Sequence, residues 1–490
     1  MVAGHGEVCL MTEGTYPHHE GGVSVWCDQL VRGMPEVTFV VDAISATGTE
    51  EAIWPQPPNN SVRRAVALWH TLDDPRPARH PGLEELSVID RFLGIIVDRA
   101  GADDTLGAFR AVHRLARDGR LGPTLMSQAS VELVLRHMRR QSVHRPLAGA
   151  PLPEPTVADA VATVRSFEHL LRPLAAPPFR SRISHTAANG LSVLLAMAAA
   201  WEHGTPLLLT EHGMYLRERY IATPPDAMPF HQRAMVLGFL QQLTMCAYRL
   251  ATAIAPGSGF NQGWELAAGA EERKIETIHN GVHAEDFWPS AIRPDPATIV
   301  WVGRLDPLKD VKTMLRAFAL VVEQRPDIRL RIFGGTPKGN EPYVRECKAL
   351  HEQLGLGDRA VFEGRVPSIV EAYHAGSVVV STSISEGFPY SVLEAMASGR
   401  AVIATDVGGV AEAVADTGVM VAPGDAPAIA RACIDLVDDP VRTAHLGDAA
   451  RRRVSHHFTL ALCLERYREL YASIDDAVLG HEPVVCGVAS

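Results

Sequence analysis

Along the 490-residue chain, short apolar runs alternate with longer stretches in which apolar residues recur every three or four positions. Residues 8–11 read as a buried strand, 23–34 have helical spacing behind a glycine-rich loop, and 37–43 read as a second strand. From about 60 to 180 the pattern changes: 83–97, 106–116, 125–138 and 157–174 look like successive helices separated by Gly, Pro and Asp, which predicts a helical insertion. Alternation then resumes. Strands are expected near 182–184, 206–210, 251–255 and 274–278, with helices over 190–200 and 230–247.

Residues 286–298 carry three prolines in a polar stretch, the composition of a connection between domains, so a boundary is expected near 290. Beyond it strands at 298–302, 329–333, 360–362, 377–382 and 401–405 alternate with helices at 311–322, 341–354, 369–374 and 390–397. Such regularity predicts a parallel, doubly wound sheet. The expected fold class is therefore α/β. An N-terminal domain over 1–290 carries the insertion at about 60–180, a C-terminal domain covers 291–458, a helix over 459–479 packs back across the connection, and 480–490 form an unstructured tail.

Composition removes several function classes. Forty-six basic against 57 acidic residues give a net charge of −11 with no long basic run, which works against a nucleic-acid surface. The seven cysteines are scattered without a C-x-x-C pair, so neither a disulfide framework nor a zinc site is suggested, and a cytoplasmic setting fits. No apolar run reaches the roughly 18 residues of a membrane span, and the first residues lack the pattern of a secretory signal.

In parallel sheets ligands bind at the carboxyl ends of strands, so the loops there hold the candidate chemistry. After 298–302 comes Gly303-Arg304-Leu305-Asp306-Pro307-Leu308-Lys309-Asp310. Arg304 offers a fork and Lys309 a point charge suited to a diphosphate, and Gly303 permits close backbone approach. The alternative is that both cations pair with Asp306 and Asp310. After 377–382 comes Ser383-Ile384-Ser385-Glu386-Gly387-Phe388-Pro389-Tyr390-Ser391-Val392-Leu393-Glu394, with Pro389 suited to a helix start. The first-turn amides can hold phosphate oxygens, whereas Glu386 and Glu394 suit sugar and ribose hydroxyls; either glutamate alone also fits a cap or a solvated helix face. Near the N-terminus, Gly21-Gly22 precede a helix, and His18-His19-Glu20 lie just before them. Adjacent histidines point in different directions and no distant third ligand is evident, so no metal site is expected. Leu207-Leu208-Leu209-Thr210-Glu211-His212-Gly213 places His212 at a strand end, followed by Arg217, Glu218 and Arg219, and His279-Asn280-Gly281-Val282 reads mainly as a turn.

Glu386 and Glu394 match the E-x7-E motif, and Gly303-Arg304 with Lys309 the G-R-x4-K clamp, of the retaining GT-B glycosyltransferases of family GT4, which residues 298–440 resemble throughout, including Gly364-Arg365, Glu371 to Tyr373 and Thr405 to Gly409. The loop Glu13-Gly14-Thr15-Tyr16-Pro17 followed by Gly21-Gly22-Val23-Ser24 resembles the PelF-like branch of exopolysaccharide assembly, whose N-terminal region is a domain of its own.

The resemblance implies a GT-B fold of two Rossmann-like domains and a metal-independent, retaining hexosyl transfer from a UDP-sugar, UDP-glucose first, to a hydroxyl acceptor, with no cofactor required. It implies that Arg304 and Lys309 grip the diphosphate, Glu386 positions the sugar, Glu394 the ribose, and His212 lies at the sugar ring. Gly21, Gly22, Gly303, Arg365, Gly387, Phe388 and Pro389 line the donor, and domain closure about the connection near 290 assembles these parts. Association with a membrane-bound polysaccharide synthase complex would follow from the same branch. A small natural-product acceptor and a non-catalytic sugar-nucleotide sensor or scaffold stay open, as do the linkage and the oligomeric state.

Overall fold

The computed structural model describes residues 7–67, 76–78, 80–144, 152–223, 227–290, 294 and 297–479. The chain forms two compact units, one of Met1–Pro256, Gln262–Thr277 and Arg468–Ser490, the other of Gly257–Asn261 and Ile278–Tyr467. The expected tail at 480–490, and the part of the proline-rich connection at 291–293 and 295–296, lie outside the described residues.

The first unit opens with β1 (Val8–Glu13), α1 (Gly22–Gly33), β2 (Phe39–Ser45) and β3 (Asn60–Ala67), followed by helices α2 (Leu83–Asp98), α3 (Ala102–Arg117), α4 (Leu121–Leu125), α5 (Gln128–His144) and α6 (Val157–Leu171). It continues with β4 (Ile183–Thr186), α7 (Ser192–His203), β5 (Leu207–Glu211), α8 (Tyr215–Ala222), α9 (Phe230–Leu250) and β6 (Ala253–Pro256); α10 (Gly259–Ala267) belongs to this unit from Gln262 on. Its sheet is parallel, in the order β3-β2-β1-β4-β5-β6.

Two expectations need correction here. The expected insertion at about 60–180 begins with β3, a strand of the main sheet, so the helical block starts only at α2. Over 274–278 the structure has no named strand: a 3₁₀ turn, Glu272–Lys274, precedes a single bridge from Ile275 to Ile254. Lys274 pairs with Glu271 at 2.9 Å, closing a tight turn where an extended run would be needed.

The helical block packs on its own aromatic centre. Phe92, Phe109, Phe167 and Phe239, from α2, α3, α6 and α9, are fully buried, with ring centroids 5.5 to 6.2 Å apart in five of their pairings. The four edge-to-face pairs among them add about 0.5–1.5 kcal/mol each beyond area burial. α6 starts where it does because Thr156 and Asp159 cap each other, Oγ1 accepting from Asp159 N at 3.1 Å and the carboxylate from Thr156 N at 2.8 Å. α7 is buried on every side from Ser192 to Ala199, as its nearly continuous apolar sequence requires.

The second unit repeats one motif: β7 (Thr298–Val302), α11 (Val311–Gln324), β8 (Arg329–Phe333), α12 (Glu341–Gln353), β9 (Ala360–Gly364), α13 (Ile369–His374), β10 (Val378–Ser381), α14 (Tyr390–Ala397), β11 (Ala401–Thr405), α15 (Val410–Val414) and β12 (Val419–Val421). α16 (Ala426–Asp438), α17 (Pro440–His457) and α18 (Leu460–Leu479) follow. The parallel order is β12-β11-β10-β7-β8-β9, the same winding as the first sheet. Each sheet therefore reverses its strand order once, between β1 and β4 and between β7 and β10, and the crevice beside such a reversal is where these folds bind ligands. From Arg468 onward α18 counts with the first unit, where Arg468 pairs with Glu36 at 2.7 Å and Tyr471 OH lies 2.8 Å from His185 Nδ1.

Candidate active site

In the second unit the reversal brings the loop after β7 against the loop after β10. Trp301 Nε1 donates to Thr382 Oγ1 at 3.1 Å, and that hydroxyl donates to the carbonyls of Lys309 and Asp310 at 2.9 and 3.0 Å. Ile384 N donates to Leu308 O at 2.8 Å. So tied, Lys309 Nζ pairs with Glu386, whose carboxylate also accepts from Ser383 Oγ at 2.6 Å. The expected local pairing is half realised: Arg304 lies 3.5 Å from Asp306, but Lys309 reaches across to Glu386. Arg304 keeps 55% of its side chain exposed, leaving its fork accessible to an incoming anion.

Glu394, on α14, accepts a 2.7 Å hydrogen bond from Tyr373 OH. Burial raises its carboxyl above the ordinary range, partly countered by that phenol. Pro389 precedes the first turn of α14, and Gly387 and Phe388 lead into it. Their path is held by backbone: Gly387 O accepts from Gly409 N at 2.8 Å, and Phe388 O from Asn280 Nδ2 at 2.9 Å. Gly408, at φ +58°, lies so close to Glu386 that a Cβ there would stand 1.7 Å from its carbonyl oxygen. His279 pairs with Glu412 at 2.6 Å and its ring lies against Phe388, so the segment read as a turn also braces this loop.

Sequence reasoning passed over Gly334 and Gly335 after β8. A Cβ on Gly334 would meet Gly303 O at 1.7 Å, and one on Gly335 would meet Arg365 Nε at 2.5 Å. Two glycines are thus what lets Gly303 and the exposed Arg365 crowd one sheet edge. A Gly-Gly pair at the end of a predicted strand was the available signal.

In the first unit Gly21 and Gly22 stand at the start of α1, which has no acidic residue in its first turn. His212 follows β5, its ring edge-on to buried Trp26 with centroids 4.6 Å apart. Beside it His185 bonds Thr210 Oγ1 and Tyr471 OH, each at 2.8 Å, and burial followed by the proximity of His212 pulls its pKa down to about 3. Glu13, at the end of β1, receives Tyr215 OH at 2.7 Å, Leu191 N at 2.7 Å and Arg219 at 3.2 Å. Sequence reasoning gives Glu13 no role beyond its place in the loop after β1, and none to Trp26 and Tyr215, because their contacts are made with partners distant in the chain. Arg219 is engaged with Glu13 and not simply a solvated helix residue. Among the described residues no cluster of three or more His, Cys, Asp or Glu side chains is placed to hold a metal ion, and no helix is long and apolar enough to cross a membrane.

Comparison with known proteins gives this geometry a context. Residues 6–273 match the family model described as "Domain of unknown function (DUF3492)", and residues 282–453 match "Glycosyl transferases group 1". The D-inositol 3-phosphate glycosyltransferase of Streptomyces avermitilis is 31% identical over 281 residues, covering 54% of this chain and 59% of that protein. The chain spans about half the length of the curated relatives it matches. The crystal structure of Anabaena HepE in complex with UDP and glucose superposes with a TM-score of 0.60 at 16% identity, covering 96% of this chain and 100% of that one. Sucrose-phosphate synthase from Thermosynechococcus elongatus superposes with a TM-score of 0.63 at 19% identity, covering 95% of this chain and 99% of that one. These likenesses carry the fold, GT-B, and the first family match takes in more than half of the sequence. The chain therefore belongs to the DUF3492 family, in which it joins that domain to a group 1 glycosyl transferase domain.

Proposed function

We propose that the chain is a retaining glycosyltransferase that moves a hexose, glucose first, from a UDP-sugar to a hydroxyl acceptor in exopolysaccharide synthesis. The observation that carries the reading is the ordered edge of the second sheet: Arg304 exposed, Lys309 on Glu386, and Glu394 set into α14. HepE, crystallised with UDP and glucose, supports a UDP-sugar donor, and relatives named as glycosyltransferases support the transfer reaction. The exopolysaccharide role rests on the likeness of the loop after β1 to the PelF-like branch.

Departure of a nucleoside diphosphate leaves negative charge on its terminal phosphate, and stabilising that charge is the main catalytic task. Arg304 supplies a fork and Lys309 an ammonium, with the amides of the turn before α14 as further donors, so the protein's own cations carry this charge without a required metal ion. Lys309 is already oriented by Glu386, which keeps it from swinging into solvent and leaves its remaining N–H groups for phosphate oxygens. Glu386 accepts from a sugar hydroxyl, Glu394 from the ribose, and Gly303, Arg365, Gly387, Phe388 and Pro389 line the diphosphate path. In the first unit His212 is assigned to the sugar and Gly21 and Gly22 to close approach of the substrate. The departing phosphate takes the acceptor proton on the same face, so no separate protein base is invoked.

The test is incubation with a panel of UDP-, GDP- and ADP-sugars while free nucleotide is followed, with anomeric configuration of the product read by NMR. Release from UDP-glucose with retention is the expected result. No release from any donor would overturn the enzymatic reading, and release from a GDP- or ADP-sugar alone would overturn the donor assignment.

A further inference from the structure

Behind His212, where nothing above assigns a role, the first unit buries two carboxyls side by side. Glu211 is the last residue of β5 and Glu265 lies on α10; both are fully buried. Tyr248 OH, from α9, donates to Glu211 Oε2 at 2.6 Å, and the amide of Asn189, after β4, lies beside Glu211 and Tyr248. Among the described residues neither oxygen of Glu265 receives a hydrogen bond from a protein donor, while Glu211 stands within hydrogen-bonding reach of it. Ionised carboxylates only accept, so two of them in contact away from water repel at low dielectric. A single proton converts the contact into an O–H···O bond.

We propose that Glu211 and Glu265 hold one proton between them, and that this proton keeps the end of β5, and with it His212, in position. Glu211 makes the last parallel pairing of its strand, with Pro256, and His212 is the next residue. Its ring lies against Trp26, and Glu218 packs so closely over Gly213 that a Cβ there would come within 2.1 Å of its carboxylate. If the two carboxyls separate, the strand end moves and the imidazole leaves Trp26. The groups acting most strongly on the pair are anionic or neutral: Tyr248 from α9, Asn189 from the loop after β4, and Glu218 from α8. Along the strand itself stand His212 and, on β4, His185 bonded to Thr210. Burial, the largest influence on both, pushes both carboxyls above the ordinary range. The folded chain thus keeps a proton that the unfolded chain has lost, so the contribution to stability is complete in acid and falls as the pH rises. Glu211 and Glu265 are positioning residues; they are not assigned contact with substrate.

The role of His212 rests on the proposed transfer reaction, but the proton itself does not, and the experiment separates the two. Glu265→Gln puts an amide N–H where the shared proton stands, and Glu211→Gln does so from the other side should the first variant fold poorly. His212, seen by NMR in chain labelled with ¹⁵N-histidine, should shift with alkaline pH in the wild type and stay fixed in the glutamine variant. The fall in urea midpoint with rising pH should flatten in the variant. Turnover of UDP-glucose should drop about tenfold per pH unit on the wild type's alkaline limb, with kcat and not KM carrying the change, and the variant should extend that limb. Identical alkaline behaviour of His212 and of stability in wild type and both variants overturns the shared proton. A variant that flattens stability but leaves the His212 signal and the kcat limb of the wild type overturns the positioning role. If no donor is turned over, the functional reading fails alone, because the NMR and unfolding measurements still decide this proposal.

Discussion

Removing the ammonium of Lys309 tests whether the pair with Glu386 is only a strut or part of a donor clamp. The side chains are 20% and 10% exposed, so the pair lies between the surface case, where an ion pair contributes ~0–1 kcal/mol, and the fully buried one, where loss of one partner costs ~3–5 kcal/mol. Ser383 still donates to Glu386 at 2.6 Å after the change, which lessens the penalty on the stranded carboxylate. Lys309→Met should therefore cost about 2 kcal/mol, read by urea unfolding with Glu386→Gln and the double variant completing the cycle. A coupling of about 1–2 kcal/mol is expected, and single effects that add to within about 0.5 kcal/mol would mean that no such pair forms in solution. Turnover is read separately, under conditions where every variant is folded. Loss of one donor to the leaving phosphate should cost on the order of 10²-fold in kcat. A Lys309→Met enzyme that shows the coupling but turns over like the wild type would make the lysine a strut and refute the clamp.

Glu394→Ala should weaken UDP binding by roughly tenfold or more, the loss of one charged hydrogen bond, without altering the choice among UDP-sugars; unchanged calorimetric affinity for UDP counts against the ribose assignment. Gly408→Ala should displace the Glu386 loop and abolish donor binding, whereas Gly424→Ala, at φ +76° with nothing within 4 Å of its Cβ, should cost only the ~1–2 kcal/mol of left-handed strain. Equal effects of the two alanines on UDP affinity would show that the loop does not depend on that close approach. Arg400 is 4% exposed, its Nε and Nη2 find no partner among the described residues, and burial lowers its pKa. Arg400→Met should be neutral or stabilising by up to ~4 kcal/mol in urea unfolding, and a clear destabilisation would reveal a partner that the guanidinium holds.

Much of the second unit was legible because β7, β10 and β11 are buried along almost their whole length and so appear as apolar runs, while β8 alternates Arg329 and Arg331 with buried Leu330 and Ile332. β7, β8, β11, α13 and α14 fall where the pattern puts them. The sheet edges were harder. β3 has two arginines in the middle of its sequence, which erase the apolar signature of a strand, so it disappeared into the expected insertion. β12 has only three residues and none of them is fully buried. Both strands thus give a poor sequence signal, β3 through its charges and β12 through its length.

The site divides along a similar line. Gly303, Arg304, Lys309, Glu386 and Glu394 could be singled out because each falls just after a strand or in the first turns of a helix, positions that spacing reveals. Which of them touch could not be read in the same way. Asp306 and Asp310 are nearest to Lys309 in sequence, but both carboxylates are occupied as caps, Asp306 accepting from Leu308 N at 3.0 Å and Asp310 from Thr313 N at 3.2 Å. The local alternative for Lys309 is therefore weakened by helix formation itself, and the ammonium turns to Glu386, brought close by the β7–β10 pairing. Glu211, Tyr248 and Glu265 carry no spacing signal at all, since a strand end and two helices meet there only after the sheet has formed. Capping demands, which can be read locally, thus decide which charges remain free for long-range work, and the sheet's winding decides where that work is done.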